Sequence, residues 1–126
     1  MLLKTISAVL LAVTLSTTGA IASNVKQLNT LAGKQQMLST KIVKAYSQNR
    51  KSVNMMTAIK ALEAGQVKLK KISVRNSEID NLFVFLTICL NEMKVLVKKP
   101  YSSENAQLVA DLGASISEGS RYIAKA

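Results

Sequence analysis

Two glutamines occupy positions where apolar residues are expected. Along a first helical stripe of Leu28, Leu31, Leu38, Ile42 and Ala45, the seam position between Leu31 and Leu38 is Gln35. Along a second stripe of Met55, Ile59, Leu62, Leu69 and Ile72, the position between Leu62 and Leu69 is Gln66. The polar turn between them, Gln48-Asn49-Arg50-Lys51-Ser52, is centred near residue 51. Residues equidistant from that turn face each other across an antiparallel pair, so Gln35 and Gln66 share a layer. A buried amide left unpaired costs about 1–3 kcal/mol, which predicts that the two amides bond each other. Such a pair either sets register, as a buried Asn does in coiled coils, or lines a small polar pocket with donors and acceptors. Both readings stay open.

A second face of the first helix is unusual in another way. Asn29, Gly33, Gln36, Thr40 and Ser47 follow helical spacing away from the apolar stripe and carry no charge. Gly33 costs roughly 1 kcal/mol against Ala inside a helix. A strip of this kind permits close approach of a second helix or a ligand.

Most catalytic chemistry is excluded by composition. The 126 residues include no His and one Cys, so a zinc site built on His, a Ser-His-Asp triad, an axial-His haem and an internal disulfide are all ruled out. Glu78 and Asp80 stand two apart at a helix start, where they suit capping and dipole compensation. No phosphate loop occurs. Met37, Met55, Met56 and Met93 read as core filler, not metal ligands. Cys89 lies inside an apolar run and reads as a buried, inert thiol. No enzyme activity, metal or cofactor is expected.

Four amphipathic segments must position these residues. The first starts behind Asn24 as N-cap and runs to about Gln48. The second runs from about Val53 to Val74 and closes at Arg75-Asn76-Ser77. Ser77 and Asp80 resemble a capping box for the third, which spans Glu78 to about Lys98 with the stripe Ile79, Leu82, Leu86, Cys89/Leu90, Met93 and Leu96. Pro100 stops it. Ser103 caps the fourth, whose stripe is Val109, Leu112, Ile116 and Ile123. Short connections make neighbours antiparallel, so the expected fold is all-α, an up-down-up-down antiparallel four-helix bundle. The run Leu82 to Leu90 is interrupted only by Thr87. It marks the third helix as the most buried, or as one that also meets a second subunit.

The start of the chain reads as an address. Lys4 supplies a positive n-region, Ile6 to Leu15 an apolar h-region, and Ala20-Ile21-Ala22 a cleavage site before Ser23. Residues 1–22 are therefore expected to be a secretory signal peptide, with an uncleaved anchor as the alternative. The domain is 23–126 and its location periplasmic. The chain carries 17 basic and 7 acidic side chains, net +10; loss of Lys4 with the leader leaves net +9. Outside the cytoplasm this charge points away from nucleic acid and toward a small anion, an acidic partner or an anionic membrane surface. Only Lys68, Lys70 and Lys71 form a dense cluster.

The run Leu28-Asn29-Thr30-Leu31-Ala32-Gly33-Lys34-Gln35-Gln36-Met37-Leu38-Ser39-Thr40-Lys41 resembles a known signature, N-x-A-G-[RK]-Q-R-M-L-S-Q-[RK]. That signature belongs to the N-terminal sensor domain of type IV pilus methyl-accepting chemotaxis transducers. A related box opens the periplasmic domain of nitrate/nitrite sensor kinases. Ile42-Val43-Lys44-Ala45-Tyr46 continues the match, and the rest of the chain agrees in helical layout and length. The resemblance implies a periplasmic four-helix bundle that senses a ligand. In the nitrate-sensing relatives the box packs on its copy in a second subunit, and an Arg from each copy holds the anion. That Arg aligns with Gln36 here, which offers neither charge nor a fork of donors. Lys34 and Lys41 flank the position, about 100° or more round the helix. Family members sit between two membrane helices and feed a signalling module; neither follows the bundle in this sequence, which implies a free-standing exported version.

The sequence reading is therefore an exported, non-enzymatic sensor-like domain. It binds a small molecule or anion, or an envelope signalling partner, as a homodimer, through Asn29, Gly33, Lys34, Gln35, Gln36, Thr40 and Gln66. The alternative is a ligand-free dimerisation module of the cell envelope.

Overall fold

The computed structural model describes the backbone of residues 2–49 and 53–126 and the side chains of residues 24–49 and 54–126. The side chains of the expected leader, residues 1–22, lie outside the described residues, as do Arg50, Lys51 and Ser52 of the expected turn. Four helices make up the fold: α1 (Leu2–Ser47), α2 (Val53–Ile72), α3 (Ser77–Leu96) and α4 (Ser103–Lys125). Among the described residues there is no strand, and no helix is long and apolar enough to cross a membrane.

Local chemistry sets the helix ends, with three corrections to the sequence reading. Asn24 does not cap the first helix, because α1 runs through it without a break. At α3 the cap is Asn76, not Ser77: its Oδ1 accepts from the Ile79 N–H at 2.9 Å. Asp80 instead pairs with Arg75 at 3.0 Å. At α4 the cap is Ser102, one residue before Ser103, and its Oγ accepts from the Asn105 N–H at 3.0 Å. Each such cap contributes about 1 kcal/mol. Beyond Ser47 the backbone turns at Asn49, whose φ of 54° lies in the left-handed region that Asn tolerates well.

The packing is compatible with a helical bundle. α1 lies against α2 and α4, and α3 against α4, while α2 makes only thin contact with α3 and α4. Ile42, Leu62, Leu69, Leu86, Met93, Val109, Ile116 and Ile123 belong to one hydrophobic core. Two glycines let α4 approach its neighbours closely. A Cβ on Gly113 would lie 2.6 Å from Val43 Cγ2, and one on Gly119 would lie 2.6 Å from Leu86 Cδ2. Tyr46 is buried and donates its hydroxyl to the Pro100 carbonyl at 3.2 Å, tying the end of α1 to the α3–α4 connection.

α3 is not buried all round. Its inward stripe is Ile79, Phe83, Leu86, Cys89, Leu90 and Met93, with Leu82 and Leu96 only half-buried. Val84, Phe85, Ile88 and Val95 face outward and are about half exposed or more. Met37, expected as core filler, is 61% exposed, whereas Met55 and Met93 are buried as expected.

Candidate functional site

The seam amides are where the helices meet most unusually. α1 presents Leu28, Ala32, Gln35, Leu38, Ser39 and Ile42 inward, and α2 presents Met55, Ile59, Leu62, Gln66 and Leu69. Gln35 is 1% exposed and Gln66 is 7% exposed. The two do not bond each other. Gln35 donates its Nε2 to the Leu62 carbonyl of α2 at 3.1 Å. It lies flat against the α2 backbone because Gly65 has no Cβ: one placed there would be 2.7 Å from Gln35 Oε1. Gln66 points elsewhere, into a cavity between α2 and α3 that Phe83, Thr87 and Asn91 also line. The expected pairing fails because α2's own backbone reaches Gln35 first.

This geometry leaves an acceptor without a donor. Gln35 Oε1 is buried and has no hydrogen-bond partner, as are Gln66 Nε2, Ser39 Oγ and Ser120 Oγ. Beside Gln35 lies a cavity of about 100 Å³ between α1 and α2, walled by Leu31, Ala61, Ala64 and Gly65 and flanked by Lys34 and Lys68. It adjoins a wider groove of about 470 Å³ that shares Leu31 and Lys68 and adds Lys26, Lys71, Thr30 and Ile72. No carboxylate lines either space. Four lysines thus line two adjoining apolar-walled spaces, Lys34 and Lys68 beside the buried Gln35 amide and Lys26 and Lys71 along the groove. The arrangement can hold an anionic group at the mouth, while Gln35 Oε1 at the base is turned onto Gly65 and closed to solvent. It contains no nucleophile and no acid–base pair.

The box predicted from sequence is divided by the structure. Lys34 and Gln35 reach the α1/α2 cavity. Asn29, Gly33, Gln36 and Thr40 lie on an exposed strip on another side of α1, and Thr40 Oγ1 donates to the Gln36 carbonyl at 2.9 Å. Nothing lies within 4 Å of where a Cβ on Gly33 would stand. Gln66 belongs to neither place. Gly65, Lys68, Lys26 and Lys71 line these spaces without belonging to the box or to a seam gap. A signal existed, since 34 and 68, and 31 and 71, are equidistant from the turn at residue 51.

Other polar features lie on α3 and α4. The Cys89 thiol is buried, and burial followed by the nearby Glu92 carboxylate pushes its pKa up. The Tyr122 hydroxyl donates to Glu78, and that bond together with the carboxylate's charge raises the phenol's pKa. Among the described residues no group of three or more His, Cys, Asp and Glu side chains could hold a metal ion. Comparison with protein-family models, with curated proteins and with solved structures gives no match.

Proposed function

We propose that this chain is an exported, non-enzymatic, sensor-like binding domain of the periplasm. In this reading its helices form an up-down-up-down antiparallel bundle. Two observations support that topology: α1 residues of falling number share cavities with α2 residues of rising number, from Gln35 and Gly65 to Lys26 and Lys71, and Glu78 at the start of α3 meets Tyr122 near the end of α4. The ligand is a small anion that also carries a hydrogen-bond donor, such as a short hydroxy- or amino-carboxylate. The carrying observation is the buried, unpartnered Gln35 Oε1 beside a cavity flanked by Lys34 and Lys68. A carboxylate oxygen is attracted to the ammonium groups, and a ligand O–H or N–H satisfies the amide oxygen once the Gln35 carboxamide turns from Gly65 toward the cavity. A volume of about 100 Å³ is about three waters' share of liquid, which limits the part of the ligand beside Gln35 to a few heavy atoms. Nitrate offers Oε1 no donor.

Isothermal titration with glycolate, lactate, glycine and nitrate tests this reading. One of the first three should bind more tightly than nitrate, and Lys34→Gln with Lys68→Gln should weaken it at least about tenfold, or 1.4 kcal/mol. Absence of heat with all four, or binding indifferent to both lysines, refutes the site. A second reading, a ligand-free homodimer formed through Asn29, Gly33, Gln36 and Thr40, is favoured by the open space over Gly33. It requires a dimer in solution that Gly33→Leu breaks.

A further inference from the structure

The groove between α3 and α4 has chemistry opposite to that of the α1/α2 slot. Two adjoining cavities, of about 630 and 610 Å³, share Phe85 and Ser115 and together run along most of both helices. Phe85, Ile88, Val95, Leu108 and Leu112 give it an apolar floor. The first four of these are each more than 40% exposed. Its rim holds Glu78, Glu92, Asp111 and Glu118, which are four of the chain's seven acidic residues. Among the lining residues Lys99 is the one cation. A chain of net +10 thus concentrates its negative charge along one apolar trough.

Charge and shape select the occupant. Pairing of this groove with its copy in an isologous dimer would set four carboxylates against four, a repulsive arrangement. The basic α1/α2 face of a second copy has the right sign but is itself a groove, so two concave surfaces would meet. A convex rod with an apolar stripe and cationic flanks satisfies both requirements. We propose that the α3/α4 groove is a docking site for a basic amphipathic helix of a partner protein. Its apolar residues at i, i+3, i+4 and i+7 cover Phe85, Ile88, Val95 and Leu108, and its Lys or Arg flanks meet Glu92, Asp111 and Glu118.

The test uses two fluorescent 18-residue amphipathic peptides of one design, Leu/Lys and Leu/Glu, titrated with the full chain and followed by anisotropy. Diffuse attraction to a chain of net +10 favours the acidic peptide. The groove favours the basic one. Saturable one-to-one binding of the Leu/Lys peptide is expected. A Glu92→Lys, Asp111→Lys double variant should weaken it at least about tenfold, and so should Leu108→Asn, all at exposed positions whose folding circular dichroism checks. Lys34→Gln with Lys68→Gln should leave it unchanged, which separates this site from the α1/α2 slot. Failure of the basic peptide to bind saturably, equal or tighter binding of the acidic peptide to this groove, or self-association of the chain that Leu108→Asn abolishes overturns the proposal.

Discussion

Replacement of Gln35 by Leu separates a binding role from a structural one. The Gln35 carboxamide makes one bond, from Nε2 to the Leu62 carbonyl, and leaves Oε1 buried and unpartnered. Loss of that bond costs about 1 kcal/mol, and removal of the unpaired oxygen returns about 1–3 kcal/mol. The Leu62 carbonyl stays satisfied, because it sits inside α2 and accepts from the backbone four residues on. Leu has a similar size and takes the same buried position between Leu31 and Leu38 of the apolar stripe. Gln35→Leu should therefore stabilise the chain by about 1 kcal/mol, which raises the melting temperature by about 4–8 °C in a domain near this size. Urea denaturation followed by circular dichroism, without ligand, measures the change. The same variant should lose the carboxylate binding described above. Destabilisation by about 2 kcal/mol or more would show that the amide is a structural element, and stabilisation with binding intact would remove it from the site.

Gly113→Ala and Gly119→Ala should each cost about 1–3 kcal/mol in the same assay, because the new methyl meets Val43 Cγ2 or Leu86 Cδ2 at 2.6 Å in a packed core. Gly33→Ala, placed in open space, should instead stabilise the monomer by up to about 1 kcal/mol. The Tyr122 phenol has a raised pKa in the folded chain, so its bond to Glu78 contributes fully below the ordinary tyrosine range, near pH 10, and is lost as pH rises through the folded value. The stability gap between wild type and Tyr122→Phe should close with rising pH across that window. Iodoacetamide should label Cys89 more slowly than free glutathione at pH 8.5, and Glu92→Gln should speed the labelling, because burial and then the Glu92 charge disfavour the thiolate.

Helical period alone locates the four elements, because Ile42, Leu62, Leu86 and Ile116 recur where a 3.6-residue repeat must place a core. Helix ends are less legible. Asn76 and Ser77, or Ser102 and Ser103, are adjacent residues of equal capping ability, and only the backbone torsion decides which side chain faces the free N–H groups. Seam position likewise places Gln35 and Gln66 inside but not what they bond, since the Leu62 carbonyl and the missing Cβ of Gly65 carry no mark in a stripe of apolar residues. The run Leu82 to Leu90 misleads for a related reason. With four helices, no helix is surrounded, so Val84, Phe85 and Ile88 remain on the outside however apolar they are.

The thin contact of α2 with α3 and α4 gives the molecule one weak seam. Amides on α2 should lose their protons to deuterated solvent before those of α1 and α4, because α2 is held firmly by α1 alone, whereas α1 and α4 pack on each other and on a second helix. A molecule gripped at once by Lys34 and Lys68 would bridge α1 and α2 on the side of α2 away from that seam, and fasten α2 to the longest helix. Occupancy would then be written in the exchange rate of an entire helix, a signal readable well away from the slot itself.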